Sequence, residues 1–117
     1  MRVIARSTLY EFVSSRVQKN DRSLVKSHLD AWFADVQSAR WTNSADLKRH
    51  HRSASIVSAE RVVFNIKGND YRLVVAISYD YQIVLIKWLG THAEYDKINV
   101  KTVEYDKERY ANSSNSK

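Results

Sequence analysis

Several side chains that can transfer protons follow the last long apolar segment of the chain. In IKWLGTHAEYDKI, residues 86–98, a strand-like run passes through Gly90 and presents His92, Tyr95 and Asp96 within the next six residues. Histidine is an effective acid or base near neutral pH because its unperturbed pKa is about 6.5. Tyrosine can donate a proton or stack on a nucleobase. The segment therefore contains candidates for proton transfer at a phosphate ester.

Basic residues on neighbouring segments could complete such a site. Lys67 lies in KGND between two strand-like runs, Arg72 lies in the second of these runs, and Arg52 precedes both. Cleaving RNA without a metal needs a proton acceptor for the 2′-hydroxyl, a proton donor for the leaving 5′-oxygen and fixed positive charge near the phosphate. Arginine and lysine supply that charge. The residue types therefore favour phosphodiester chemistry.

The same residues also have structural interpretations. A histidine after a strand is commonly a hydrogen-bonded corner residue, the Tyr95 ring can cover a sheet edge, and Asp96 can cap a turn. Arg72 can form a salt bridge with Asp70 or Glu94. The residue types alone leave both interpretations open.

The overall charge favours a polyanionic partner. The 117 residues contain 19 Lys and Arg against 13 Asp and Glu, which gives a net charge of +6 and a pI near 9.7. A small basic domain of this kind binds nucleic acid or an acidic protein. We predict a single domain at residues 1–104 and a polar, flexible C-terminal tail at residues 105–117.

Part of the positive charge is concentrated in residues 40–72, which contain seven basic and three acidic residues. Within this block we predict RNA contacts from Lys48, Arg49 and Arg52. The alternative is a solvated basic face with no ligand.

Several function classes lack support in the sequence. There are no cysteines, which removes thiolate metal sites and is compatible with the cytoplasm, where we expect the protein to act. His50 and His51 are adjacent and would point in different directions on a helix, so we expect no metal site. We also expect no cofactor, because the glycine-rich nucleotide-binding motifs are missing. No apolar run is long enough to span a membrane, and we expect no membrane partner.

The hydrophobic pattern predicts an α+β fold. Thr8 and Glu11 have the spacing of a helix capping box, and residues 24–39 form the clearest amphipathic helix. After a short helix at 42–51, four β-rich runs joined by short turns predict an antiparallel meander. These runs are residues 53–57, 61–66, 71–78 and 82–89, and a further short strand is predicted at residues 2–5. The predicted architecture is an N-terminal antiparallel helical hairpin packed on a small, mostly antiparallel sheet.

Two stretches together resemble a known family. RVVFNIKGNDYRLVVAI at 61–77 and IKWLGTHAEYDKI at 86–98 are similar to the HigB toxins, RelE-like toxic components of bacterial type II toxin–antitoxin pairs. The matching elements are Val63-Phe64-Asn65, Gly68-Asn69, Arg72-Leu73-Val74 and Thr91-His92-x-Glu94-Tyr95-Asp96-Lys97. The resemblance extends over about residues 2–103, and the two blocks keep their order and spacing.

The resemblance implies a function and a set of partners. It implies an endoribonuclease, or mRNA interferase, that cleaves mRNA on the ribosome and arrests translation without a cofactor. It also implies a cognate antitoxin with a helix-turn-helix domain, through which alone the toxin would reach operator DNA. In this family the helical hairpin packs on the small sheet, which agrees with the predicted layers.

The resemblance also implies roles for individual residues. His92 would act as acid or base, and Tyr95 as proton donor or stacking partner. Gly90 would let the chain turn at the end of the sheet so that both face a basic cleft. The remaining assignments are Arg72 and Lys67 as phosphate stabilisers and Asn69 as an RNA contact.

Two rival functions remain. A basic domain could block mRNA or the ribosome through Arg and Lys contacts without any chemistry. ParE-type toxins share the fold and act on DNA gyrase, and a shared fold does not settle function. His92 favours the nuclease, because a gyrase inhibitor does not need an acid or a base.

Overall fold

The fold centres on a five-stranded sheet in a computed structural model that describes residues 1–105. The strand order is β1-β5-β4-β3-β2, with β1 parallel to β5 and the other neighbours antiparallel. The strands are β1 (Arg2–Ile4), β2 (Ser55–Ile56), β3 (Arg61–Ile66), β4 (Tyr71–Ser78) and β5 (Ile83–Thr91). The α+β class and the mostly antiparallel sheet are confirmed. The parallel β1 at the sheet edge was not predicted, because periodicity identifies a strand but not its neighbour.

Within residues 1–105, four helices accompany the sheet. They are α1 (Ser7–Arg16), α2 (Arg22–Ser38), α3 (Ser44–His50) and α4 (His92–Tyr95), and a short 3-10 turn at Lys19–Asp21 joins α1 to α2. The apolar stripe of the amphipathic helix is buried along α2: Val25, Leu29, Trp32 and Val36. Tyr10 of α1 donates its hydroxyl proton to Asp30 of α2 at 2.7 Å, so the two helices pack side by side. Strand β1 precedes this helical pair.

The two faces of the sheet are covered by different parts of the chain. On the first face, Leu73 and Val75 of β4 join the helices in the main core. On the second face, Val63, Val74 and Trp88 form a smaller cluster. Residues 96–105, the C-terminal segment, cover this cluster with Ile98, Val100 and Val103. The sheet is therefore buried on both faces, which explains why β4 is apolar at consecutive positions.

A buried arginine anchors the C-terminal segment. Arg61 is 6% exposed, and its guanidinium donates to the Val103 carbonyl at 2.6 Å and to the Glu104 carboxylate at 3.0 Å. Lys87 contacts the other Glu104 oxygen at 2.8 Å. This hydrogen bond from Lys87, with the two positive charges, lowers the pKa of Glu104. Ionised Glu104 therefore stabilises the fold above its ordinary pKa, and the contribution is lost as the pH falls through its lowered value.

Tyr105 also belongs to the packed structure. Its ring lies against the main core, and its hydroxyl donates to Glu11 of α1. Residues 106–117, which complete the predicted tail, lie outside the described part of the chain. Glu104 and Tyr105, which repeat the Glu94-Tyr95 pair ten residues later in the chain, thus contact the sheet and α1.

The capping box is at a different helix from the one predicted. Thr8 lies inside α1, where its hydroxyl donates to the Ala5 carbonyl, and no side chain caps this helix. The capping box belongs to α4, where Thr91 and Glu94 bond each other's backbone N–H groups. Spacing alone could not separate the two, since both have threonine three residues before glutamate.

Gly90 is needed for packing and not for a turn. Strand β5 continues through Gly90 to Thr91, which corrects the expectation that the chain turns there. A Cβ at Gly90 would lie 2.5 Å from Cζ2 of Trp88 and 2.8 Å from Oε1 of Glu94. The space above Gly90 is therefore occupied by the indole and the capping carboxylate.

We predict that Gly90→Ala destabilises the protein by about 1–3 kcal/mol, the usual cost of overpacking. Gly68→Asn is the comparison variant: a Cβ at Gly68 meets open space, so any cost there is the strain of a side chain at φ +64° and not overpacking. Urea unfolding of both variants measures the difference. Equal stability of Gly90→Ala and the wild type would show that the indole moves aside at no cost.

Candidate functional site

One row of residues crosses the second face at the end of the sheet where β3 and β5 finish. Arg72 of β4 pairs with Asn65 of β3 on one side and with Gly90 of β5 on the other. Side chains of such cross-strand partners have Cβ atoms about 5 Å apart. Asn65 and Arg72 are both half-buried. The row therefore places an amide and a guanidinium side by side next to the Gly90 backbone.

The Arg72 guanidinium is held in place without being neutralised. Its Nη1 donates to the carbonyls of Asn69 at 3.1 Å and Tyr71 at 3.3 Å. Neither carboxylate considered as a partner pairs with it, since Asp70 contacts Lys67 and Glu94 contacts Arg16. Within residues 1–105, no carboxylate lies within salt-bridge distance of Arg72. Its positive charge remains available to an anion.

Helix α4 holds His92 beside this row. The His92 N–H donates to the Asp70 carbonyl at 3.0 Å, which ties the start of α4 to the β3–β4 turn. Glu94 accepts from the Thr91 N–H at 2.9 Å and pairs with Arg16 of α1 at 2.9 Å. The backbone of α4 is thus fixed from two sides, while the His92 side chain is exposed.

Tyr95 lies one turn further along α4 and covers the sheet. Its ring packs against Trp88 with 6.3 Å between ring centroids, and the residue is half-buried. The Asp96 N–H closes the turn of α4 by donating to the His92 carbonyl at 3.3 Å. Because Trp88 also occupies the space above Gly90, Tyr95 lies against the same end of the sheet as Arg72. We call this region, with Asn65, Arg72, His92 and Tyr95, the corner.

Lys67 is not part of this corner. It occupies the β3–β4 turn with φ 54°, and its ammonium contacts Asp70 at 3.3 Å and Asp21 at 4.0 Å. It lines a cavity on the first face, together with His28 and Trp32 of α2. Of the predicted catalytic residues, His92 and Tyr95 lie on α4 and Arg72 lies on β4 at the same end of the sheet, whereas Lys67 lines the cavity on the first face.

The predicted RNA-binding residues are divided between two places. Asn69 lies at the corner, where its carbonyl accepts from Arg72. Lys48, Arg49 and Arg52 line an open depression on α3. Arg49 pairs with Asp46, and Lys48 donates to the Arg52 carbonyl at 2.6 Å.

Arg52 is the most available cation of that block. Its side chain is exposed and has no carboxylate partner within residues 1–105. It precedes β2, whose first residue Ser55 pairs with Val63, so Arg52 lies toward the end of the sheet that carries Arg72. The basic block of Lys48, Arg49 and Arg52 therefore lies where it could extend an RNA-binding surface outward from the corner.

Asn65 was not predicted as a site residue from the sequence. The alternation of β3 could have indicated it, since Val63 and Asn65 share a face and Phe64 and Ile66 point into the main core. The pairing of Asn65 with Arg72 was not readable, because it depends on the β3–β4 register.

Metal and membrane features are absent from the described part of the chain. In residues 1–105, no three His, Asp or Glu side chains are grouped so that they could hold a metal ion. No helix in the same range is both long and apolar enough to cross a membrane.

Comparison with known proteins identifies the family of the chain. No curated protein matches the chain. The family model for HigB toxins, described as the RelE-like toxic component of a toxin–antitoxin system, matches residues 25–98. The match covers well over half of the chain and includes β3, β4, β5 and α4. The chain therefore belongs to the HigB family of RelE-like toxins.

Proposed function

We propose that this toxin is a metal-independent endoribonuclease, an mRNA interferase that cleaves mRNA on the ribosome in the cytoplasm and so inhibits translation. The observation that carries the proposal is the Arg72 guanidinium, which two carbonyls hold in place and which has no carboxylate partner within residues 1–105. It lies at the end of the sheet from which α4, with His92 and Tyr95, continues. An arginine that only supported the fold would gain most from a carboxylate partner, as Arg16 and Arg61 do.

The proposed reaction uses the corner as follows. The 2′-oxygen of a ribose attacks the adjacent phosphorus and loses its proton, while the bond from phosphorus to the 5′-oxygen breaks. The products are a 2′,3′-cyclic phosphate and a 5′-hydroxyl, which takes up a proton. Arg72 stabilises the phosphorane oxygens, and His92 accepts or donates one of the two protons. Tyr95 donates the other proton or stacks on a base.

The partners follow from the family and the charge. As a toxin of a toxin–antitoxin pair, the protein has an antitoxin partner. We propose that this antitoxin has a helix-turn-helix domain and connects the toxin to operator DNA. Asn69 and Arg52 would contact the mRNA backbone, since the net charge of +6 favours a polyanion.

The first prediction concerns the cell. Expression of the toxin alone should arrest growth, and the neighbouring antitoxin should restore it. New transcript 5′ ends carrying hydroxyl groups should appear soon after induction, as mapped by end sequencing. Growth arrest without new 5′ ends would favour the non-catalytic blocker, and arrest with trapped gyrase–DNA complexes would favour a ParE-like inhibitor.

The second prediction concerns the proton-transfer residues. His92→Gln should keep the fold, because the His92 contact to Asp70 uses the backbone, yet single-turnover cleavage should fall by about 10²–10⁴. Tyr95→Phe keeps the ring on Trp88 and removes only the hydroxyl. A proton-donating Tyr95 predicts a loss of activity, and a stacking Tyr95 predicts none.

Tyr81→Phe is the matched control for Tyr95→Phe, since Tyr81 is 80% exposed in the β4–β5 turn. Tyr105→Phe is unsuitable because the Tyr105 hydroxyl contacts Glu11. Near-normal cleavage by folded His92→Gln would remove His92 from the mechanism.

The third prediction concerns binding by the basic block. Arg52→Gln should weaken RNA binding and reduce the dependence of log K on log[salt] by about 0.7, the value for one phosphate contact on a single strand. Arg49→Gln is the control, because Arg49 already pairs with Asp46. Fluorescence anisotropy over a salt series measures both. A slope for Arg52→Gln equal to that of the wild type would mark the block as a solvated face.

A further inference from the structure

A polar groove lies on the opposite side of β3 from Asn65's side chain. It encloses about 160 Å³ between α2 and the end of β3, and its walls include His28, Trp32, His51 and Phe64. A cavity of roughly this size, about 150 Å³, accommodates one six-membered ring. The groove adjoins a cavity of about 340 Å³, with which it shares Asp35 and His51.

The groove exposes an unpaired stretch of strand edge. Strand β2 pairs only with Val62 and Val63, so on this edge β3 has no strand partner beyond Val63 among residues 1–105. The Val57 N–H donates to the Arg61 carbonyl at 3.0 Å, which sets the alternation of the ladder. By that alternation, Asn65 points its backbone N–H and C=O toward the missing partner. Asn65 lines the groove, which therefore contains an adjacent backbone donor and acceptor.

A buried donor in the same wall lacks a partner. Trp32 is 5% exposed, and its Nε1–H has no hydrogen-bond acceptor among residues 1–105. Buried polar groups are rarely left unpaired in folded proteins. An acceptor atom on a ligand in this groove would satisfy the donor.

The aromatic side chains in the walls of the groove can pack against a flat ring. The ring centroid of His51 lies 5.2 Å from that of Phe64 and 5.6 Å from that of Trp41, in edge-to-face contacts that fix the imidazole. Burial lowers the pKa of His51 against an opposing effect of Asp35, so the imidazole is neutral at neutral pH. Lys67 stands at the rim with its side chain 22% exposed, and its ammonium pairs with Asp70 at 3.3 Å.

From this geometry we propose that the groove between α2 and the free edge of β3 binds a single nucleobase of the RNA substrate. The base would bond the backbone of Asn65 and the indole N–H of Trp32. Asn65 thus links the two sites: its side chain faces Arg72 and its backbone faces the groove. The corner and the groove lie on opposite faces at the same end of the sheet, about two strand spacings or roughly 10 Å apart along it, so an RNA strand that passes round the edge of β3 would reach both.

The inference rests on the proposed function only in taking RNA as the ligand. It makes the groove a determinant of which base stands beside the cleavage site, because each well-placed set of contacts to a base edge discriminates strongly against the others.

The first test uses free nucleotides and needs no cleavage. Each of the four ribonucleoside 5′-monophosphates is titrated into the protein, and the tryptophan indole N–H resonances are followed by NMR. The Trp32 resonance should shift saturably with at least one nucleotide, while that of Trp88 on the second face should not. No shift with any nucleotide, or an equal shift with ribose 5-phosphate, would overturn the proposal.

The second test blocks the groove without altering the core. Ser53 is exposed and lines the groove, so Ser53→Phe should fill it, and Ser55→Phe places the same bulk two residues away in β2. Ser53→Phe should abolish the Trp32 shift and change the ratio of cleavage among sites by roughly tenfold, whereas Ser55→Phe should change neither. Indistinguishable cleavage patterns for the two variants would contradict the proposal.

The two tests also separate this inference from the proposed function. A Trp32 shift in a protein that does not cut RNA would uphold the base site and reject the nuclease. Cleavage that depends on His92 and is unchanged by Ser53→Phe would uphold the nuclease and reject the base site.

Discussion

The candidate site depends on the contact between the Trp88 indole and the backbone of Gly90. Trp88 occupies the space where any other residue at 90 would place its Cβ, and it supports the ring of Tyr95. The same indole is the centre of the apolar cluster under the C-terminal segment. A bulge between Val74 and Val75 shifts the β4–β5 register by one residue, which directs Trp88 to this face. One packing contact therefore places α4, the covering segment and the Arg72 row relative to each other.

Charge pairing separates structural cations from available ones. Arg16, Arg61 and Lys87 are occupied by Glu94 or Glu104 and hold α4 and the C-terminal segment on the sheet. Arg72 and Arg52 lack such partners in the described residues and retain their charge for a ligand. The same residue type thus serves both the fold and the proposed RNA contacts, depending on whether a carboxylate lies nearby.

The two faces of β3 give the protein two different polar surfaces. Its end lies open because β2 is only two residues long, so backbone groups normally used by a sheet are exposed there. The side chain of Asn65 faces Arg72, while its backbone faces the groove beside α2. A short strand at the edge therefore connects the proposed reaction site to the proposed base site.

The sequence by itself determined the elements and the family. The stripe on α2, the β-rich runs of β3 and β4, and the two motif blocks are local patterns, since burial and strand formation follow the period of a few neighbouring residues. His92, Tyr95 and Arg72 could be named as candidates from their chemistry. Tertiary structure decided which of them meet: strand register put Asn65 beside Arg72, and a hairpin turn put Lys67 on the opposite side. It also made Gly90 a packing position, because Trp88 and Glu94 fill the space beside it. Register, handedness at a turn and long-range ion pairs depend on residues far apart in the chain, and no local pattern contains them.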